Sequence, residues 1–230
     1  MGINGIWLAS ASERRAILLD DLILEEKMKI KLVNTPLIED EIEPKKTTLK
    51  ETVFSITKMK MKSALLEISL GRLEKLELDF DGNLTKTITL VSDTLVEDPD
   101  SFEEVFGKPS GKLEAVSMLK RLSGRKHKVW SSTGIIIHKS LEFQFDKMPE
   151  IEFGDWLGYI WTEYSTVEIK ELSDEILFEL IDSNSWNGKA GAYDLDGPMS
   201  KYAEVKNGEK FTVLGIASIA IDTLKQIFKI

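Results

Sequence analysis

Two arginines stand where an ordinary helix would avoid them. Ser10-Ala11-Ser12-Glu13-Arg14-Arg15 follows a short apolar run, Ile6–Ala9, and opens a helical pattern from Arg14 to Leu24 with Ile17, Leu18 and Leu22 inward. The first turn of a helix already carries about half a positive charge, so local stability favours acids there over guanidiniums. A sequence that breaks a local rule often does so for function. Free amides at a helix start, two hydroxyls and two arginines make a good cradle for polyphosphate oxygens. The competing reading is an exposed pair neutralised by Glu13, Asp20 or Asp21, and this stretch alone leaves both open.

The next chemical group is a carboxylate. Asp93 sits between the apolar runs Ile88–Val91 and Leu95-Val96, and an acid inside a buried strand is costly unless it is paired or metal-bound. A partly exposed strand end is the alternative. Glu39-Asp40-Glu41 adds carboxylates in a loop that could equally be solvated surface. Lys60, Lys108 before Pro109, and Lys189 are unremarkable singly. In Gly188-Lys189-Ala190-Gly191-Ala192-Tyr193, small residues surround one lysine and one aromatic, which suits close backbone approach to a ligand or a plain surface loop. His127, between Lys126 and Lys128, reads as structural. No G-x-S-x-G, H-E-x-x-H or G-x-G-x-x-G occurs. The stretch Gly107–Lys112 has a glycine and lysine in P-loop style but is one residue short, with Leu113 where Ser or Thr should hold magnesium.

Composition narrows the chemistry further. With no cysteine and only two histidines, thiolate nucleophiles, Cys-zinc sites and His-rich metal centres are excluded or disfavoured. Metal-assisted chemistry here would use oxygen ligands and a hard ion such as Mg²⁺. A net charge of −9 argues against coating polymeric nucleic acid or an anionic membrane. The longest uncharged stretches, Met1–Ser12 and Phe211–Ile221, have 12 and 11 residues, short of the roughly 18 a membrane helix needs. A basic n-region is missing too, so the expected location is cytoplasmic.

The positioning elements follow from pattern. A strand over Lys29–Val33 precedes the acidic loop, and Thr48 with Glu51 forms a capping box for a helix to about Leu70. Leu76–Phe80 and Leu84–Val91 alternate around Asp81-Gly82-Asn83, predicting a hairpin whose second strand continues through Asp93 to Val96. Ser110 caps a helix with Leu113, Val116, Leu119 and Leu122 on one stripe. Strands are predicted over His127–His138, Lys139–Asp146 and Tyr159–Ile169, then a helix from Ser173 through Ile181. Tyr202–Val205 and Phe211–Leu214 read as a hairpin about Asn207-Gly208, and Ile219–Phe228 as a closing helix. Mixed elements without a regular βαβ beat indicate α/β or α+β, and no linker or repeat divides residues 1–230.

Taken in order, Ser10-Ala-Ser12-x-Arg14-Arg15 after a strand, Ser92-Asp93-Thr94, Gly107-Lys108-Pro109, Met118-Leu119-x-x-Leu122-Ser123-Gly124-x-x-His127-x-Val129 and Lys189-Ala190-Gly191-Ala192-Tyr193 resemble the Maf family of nucleoside triphosphate pyrophosphatases, also called septum formation proteins. The resemblance spans nearly the whole chain. It implies one domain of α/β class, a mixed elongated sheet with flanking helices and two lobes around a cleft, similar to inosine triphosphate pyrophosphatases. It implies cleavage of the α–β phosphate bond of a nucleoside triphosphate with Mg²⁺ or Mn²⁺, and a homodimer. By position, Ser10, Arg14 and Arg15 fall on the phosphate-binding turn, Lys108 and Lys189 on substrate-binding lysines, and Lys60 on a helix lysine. Asp93 matches the catalytic aspartate and, with Glu41, the metal-binding acids. Departures are Glu13 for a proline, Gly188 for an aspartate, Ser185 for a glutamate, Ala217 for the proline of Gly-Leu-Pro, and an enlarged 71–89 segment. Asp196 stands where pyrimidine-preferring members carry glutamine. An ionised aspartate only accepts hydrogen bonds, so this substitution predicts a weaker preference for uracil or thymine. The second reading is a nucleotide-binding regulator of septum formation with little turnover.

Overall fold

In the computed structural model, residues 3–38, 48–78 and 84–229 are described. Strand β1 (Gly5–Leu8) leads into helix α1 (Glu13–Glu25) and strand β2 (Lys31–Asn34). Helices α2 (Leu49–Ser69) and α3 (Arg72–Lys75) precede the long strand β3 (Thr87–Asp98), strand β4 (Ser101–Phe106) and helix α4 (Lys112–Leu122). Strands β5 (Lys126–His138), β6 (Ile151–Phe153) and β7 (Trp156–Ile169) follow, then helix α5 (Asp174–Asp182), strand β8 (Ala203–Asn207) and helices α6 (Lys210–Leu214) and α7 (Ser218–Ile227). No described helix is long and apolar enough to cross a membrane.

Among the described residues, eight strands join one mixed sheet, ordered β2-β1-β3-β5-β7-β6, with β4 added to β3 and β8 to β7. Its flanking helices bear out the mixed α/β expectation. β1 runs parallel to β2 and β3, and the remaining pairs are antiparallel. The alternation of β3 sorts its side chains: Ile88, Leu90 and Val96 pack under α1, α7 and α4, while Val91 lies under α2 with Met61, Ala64 and Leu65.

One edge of β3 is left open. β1 pairs with β3 only as far as Leu8↔Leu90, and β4 begins to pair at Val96↔Phe106. Between those points no strand lies beside that edge among the described residues. The cause is local: Ser10 N–H bonds back to the Leu8 carbonyl at 2.9 Å, turning the chain off the sheet into α1.

Two predicted strands, and the described part of a third, are not strands. Gly71, at φ +81°, starts the short α3, and Leu73 and Leu78 are both fully buried, joined by a Leu78 N–H to Leu73 carbonyl bond of 3.0 Å. The alternation at Leu76–Leu78 is therefore a turn burying one side chain, and Leu84–Lys86 is a 3-10 turn. The predicted Asp81-Gly82-Asn83 turn lies outside the described residues. After β5, His138 Nδ1 accepts from Ser140 N–H at 3.2 Å and closes a 3-10 turn over Lys139–Leu141. Phe143 and Phe145 then meet edge to face, and Phe145 lies against Tyr159, instead of pairing with a strand. Phe211–Leu214 is helical: Gly215, at φ +111°, caps α6 by donating to the Phe211 and Thr212 carbonyls. Four residues are too few for a period of two to exclude a helical turn.

Helix α2 approaches the sheet over Gly134 and Gly158, with the fully buried Met61 pressed between them. A Cβ on Gly134 would stand 2.5 Å from Met61 Cε and 2.9 Å from Val91 Cγ2. Overpacking of this kind costs roughly 1–3 kcal/mol. Gly134→Ala should therefore lower the melting temperature by about 2–10 °C, read by circular dichroism.

Candidate active site at the open edge of the sheet

The Ser10–Arg15 turn and the open stretch of β3 face each other. Ser12 caps α1 by accepting the Arg15 N–H, and Ser10 Oγ accepts from Ser12 N–H at 3.2 Å. Arg15, only 8% exposed, is turned into the protein. Its Nε donates to the Gly215 carbonyl at 2.7 Å, one terminal nitrogen to Ser10 Oγ at 3.1 Å and the other to Thr94 Oγ1 at 2.9 Å. Arg14 Nε donates to the adjacent Leu214 carbonyl at 2.9 Å. The acid beside Arg14 is Asp194, 3.6 Å away, and not the helix acids the sequence offered. Burial pushes the Arg14 pKa down, opposed chiefly by the nearby Asp194 carboxylate. A guanidinium short of water in this way is well suited to an anionic ligand.

From the other face of β3, Asp93 meets Lys60 of α2, Oδ1 to Nζ at 3.0 Å, with both side chains largely out of water. Asp93 and Thr94 point to opposite faces of the sheet, yet both reach the same hollow because no neighbouring strand covers that edge. The hollow is lined by Ser10, Arg14, Arg15, Lys60, Asp93 and Lys108, among others. It continues into a more open depression that shares Arg14 and Lys108 and adds Lys189.

The loop carrying Lys189 docks tightly. Gly191, at φ +72°, donates to the Gly107 carbonyl at 3.1 Å, and a Cβ there would stand 3.0 Å from Val96. The close backbone approach suggested by Lys189-Ala-Gly-Ala-Tyr193 is thus to β3 itself. Tyr193 anchors the loop end through its hydroxyl, 2.9 Å from His127 Nε2, with the rings edge to face. Burial raises the Tyr193 pKa.

Seven of the nine residues picked from sequence thus gather at one place: Ser10, Arg14, Arg15, Lys60, Asp93, Lys108 and, at the rim, Lys189. Asp196 does not join them. It pairs with Lys210 at 2.5 Å and lines a separate pocket with Leu18, Leu22 and Phe211, because a 3.2 Å bond from its own N–H to Asp194 Oδ1 helps to set a turn there. Glu41 lies outside the described residues. Sequence reasoning missed Asp194, which stands between Arg14 at 3.6 Å and Lys189 at 3.5 Å. Its position next to Tyr193 was the only signal. It also missed the Leu214 and Gly215 carbonyls, since backbone acceptors leave no mark in residue type.

The fold and the hollow define a mixed α/β protein with cationic side chains and one lysine-paired carboxylate gathered at an open sheet edge, a lining of complementary charge to a polyanion. More particularly, the chain belongs to the Maf family: the family model described as Maf-like protein matches residues 5–226. The dTTP/UTP pyrophosphatase of Caldanaerobacter subterraneus subsp. tengcongensis is 30% identical over 231 aligned positions, covering 99% of this chain and 91% of that protein. The dTTP/UTP pyrophosphatase of a Thermoanaerobacter species is 35% identical over 146 residues, 63% of this chain and 67% of that protein. That of Thermococcus onnurineus is 32% identical over 124 residues, 54% of this chain and 58% of that protein. Among solved structures, a HAM1 protein from Coxiella burnetii matches with a TM-score of 0.47 and 13% identity, covering 99% of each chain. The Staphylococcus aureus Ham1 protein matches with a TM-score of 0.44 and 9% identity, covering 97% of this chain and 99% of that one.

His127 gives the site's anchor a pH signature. At 2% exposure its imidazole is held neutral, and burial lowers its pKa from 6.5 to about 4. The unfolded chain therefore takes up a proton that the folded chain refuses between those values. Its contribution is intact above pH 6.5 and is lost as pH falls towards 4, about 3 kcal/mol in all. His127→Gln keeps a partner for Tyr193 but cannot titrate. Urea unfolding at pH 7 and pH 4.5 should show a markedly smaller acid loss in that variant than in the natural chain.

Proposed function

We propose that this chain is a nucleoside triphosphate pyrophosphatase, hydrolysing the α–β phosphoanhydride to give a nucleoside monophosphate and pyrophosphate and so clearing non-standard or excess nucleotides. The observation that carries the reading is the convergence of Arg14, Arg15, Lys60 and Lys108 with the single acid Asp93 around one hollow. The relatives named dTTP/UTP pyrophosphatase support the same reaction class.

Hydrolysis of a triphosphate is a problem of charge and alignment more than of covalent chemistry. In this reading the guanidiniums and Lys108 hold phosphate oxygens, and Lys189 at the rim extends the cationic path. Asp93, fixed by Lys60 at 3.0 Å, orients a water and accepts its proton as the water oxygen bonds to the α-phosphorus. The α–β bridging bond breaks and its electron pair leaves with pyrophosphate, whose charge the cations receive. A helix start whose first turn bears two arginines adds the favourable end of the helix dipole.

The donors present suit a divalent Mg²⁺ or Mn²⁺. Asp93 is a hard oxygen donor, and such ions are commonly held by one or two carboxylates together with substrate phosphates. Among the described residues no cluster of three acidic or histidine side chains could hold a metal alone. Asp93 would therefore hold the ion, with Glu41 as the family resemblance assigns it. When bound, the ion would neutralise charge developing on the phosphate oxygens.

The ground for a shift away from uracil and thymine was Asp196, and that residue lies in another pocket, paired with Lys210. UTP and dTTP are accordingly the first substrates to try. The reading as a regulator without turnover gains nothing from the site, which keeps its acid and its cations together.

Pyrophosphate release measured across UTP, dTTP, CTP, ATP and ITP, with Mg²⁺ and with Mn²⁺, tests the reaction. Asp93→Asn should lower kcat by about 10²–10⁴-fold while the protein stays folded by circular dichroism. Near-normal release in that variant would remove Asp93 from the mechanism.

A further inference from the structure

We propose that Glu163, a β7 residue outside the lining of the hollow, is a positioning residue that sets the two arginines for phosphate binding. The proposal rests on the pyrophosphatase reading for its substrate class, but its geometry stands apart from it.

The sheet face beneath α6 and α7 is mostly apolar, yet two polar rows cross it. Register places Thr94 of β3 beside Ser131 of β5, and Ser131 beside Glu163 of β7. One step along, Ser92 lies beside Thr133. Above these rows sits the turn from Thr212 to Ser218, linking α6 to α7, and five hydrogen bonds tie that turn to them. Thr133 Oγ1 accepts from Ala217 N–H at 2.9 Å, and Ser92 Oγ donates to the Gly215 carbonyl at 2.7 Å. Ser131 Oγ donates to the Thr212 carbonyl at 2.7 Å. Glu163 Oε1 accepts both the Thr212 hydroxyl, at 2.6 Å, and the Ser218 N–H at the start of α7.

Glu163 therefore holds the two ends of one turn with a single oxygen atom. Helix α7 has no side-chain cap of its own, and Ala217 cannot provide one. A carboxylate reaching its first amide from β7 meets part of that need and matches the positive end of the helix. The middle of the same turn presents the Leu214 and Gly215 carbonyls, which receive the Nε groups of Arg14 and Arg15. Those two bonds fix the plane of each guanidinium fork. A second route runs along the row: Arg15 donates to Thr94 Oγ1 at 2.9 Å, Thr94 lies 2.9 Å from Ser131 Oγ, and Ser131 donates to Thr212.

An arginine grips phosphate well only when its fork is aimed, because the paired N–H bonds are directional. Small misplacements at such sites cost large factors in rate or affinity. Loss of the Glu163 carboxylate frees both ends of the turn, and the carbonyls that aim Arg14 and Arg15 shift with it. The expected effect is on phosphate binding first and on the chemical step little, since Asp93 and Lys60 lie on the opposite face of the sheet.

The probe is inorganic pyrophosphate, titrated by calorimetry into the full chain, alongside steady-state turnover of the best triphosphate. Glu163→Ala should weaken pyrophosphate binding and raise KM by about tenfold, with kcat within about threefold. Glu163→Gln retains an amide oxygen able to accept both bonds and should recover most of the affinity. Should Glu163→Ala not fold, Thr212→Val removes one of the two bonds at nearly constant volume, and a several-fold loss of pyrophosphate affinity is expected. Wild-type pyrophosphate affinity in a folded Glu163→Ala protein, or in Thr212→Val where Glu163→Ala does not fold, overturns the proposal. An equal loss in Glu163→Gln and Glu163→Ala, or a fall in kcat with KM unchanged, does the same. Because pyrophosphate binding is read without turnover, a chain that hydrolyses no triphosphate sinks the pyrophosphatase reading while leaving this test intact.

Discussion

Two side-chain-to-backbone bonds hold the site together: Arg14 to the Leu214 carbonyl and Arg15 to the Gly215 carbonyl, across 200 residues of sequence. Guanidiniums at the start of a helix are repelled by its dipole, and the pair persists because carbonyls at the C-terminal end of α6, the negative end of that short helix, receive them. Gly215 is what allows the contact. Its φ of +111° suits glycine, and a Cβ there would stand 2.9 Å from Arg15 Nε. The cationic turn, the α6 cap and the seating of α7 are consequently one construction.

The sheet supplies the complementary half. A strand edge normally needs a partner or protection. Here β1 leaves early and β4 arrives late, so a short reach of β3 can present Asp93 from one face and Thr94 from the other to the same hollow. Lys60 answers the carboxylate from α2, and α2 sits near enough because Gly134 and Gly158 give its Met61 room. Packing on one face of the sheet thus places the acid, and polar rows on the other place the cations.

Several departures from the family pattern become intelligible in this frame. Ala217 has an N–H that proline lacks, and Thr133 accepts it at 2.9 Å. Gly188 adopts φ +70°, a left-handed conformation that glycine takes without strain, at the entrance to the Lys189 loop. Glu13 puts an acid into the first turn of α1 beside the two arginines, easing the dipole conflict they create. Nothing in the structure explains Ser185.

The sequence by itself was enough to find the mixed α/β class, the long helices, the Ser10–Arg15 turn and Asp93, because each leaves a local trace: a period, a cap, or a charge where charge is expensive. Helix α2 was legible from its capping box and its length, and the Lys189–Tyr193 loop from its run of small residues. Short elements were not, since Leu76–Leu78 and Phe211–Leu214 satisfy two periods at once and only a neighbour can choose between them. Tertiary structure alone decided that Asp194 and not Asp196 stands beside Arg14, that Gly191 packs on Val96, and that Glu163 faces the turn between α6 and α7. The physical reason is common to all three. Residue type determines which bonds a side chain can make, but only the packing of distant segments determines which partner lies within 3 Å, and backbone carbonyls, the acceptors on which both arginines depend, carry no sequence identity at all.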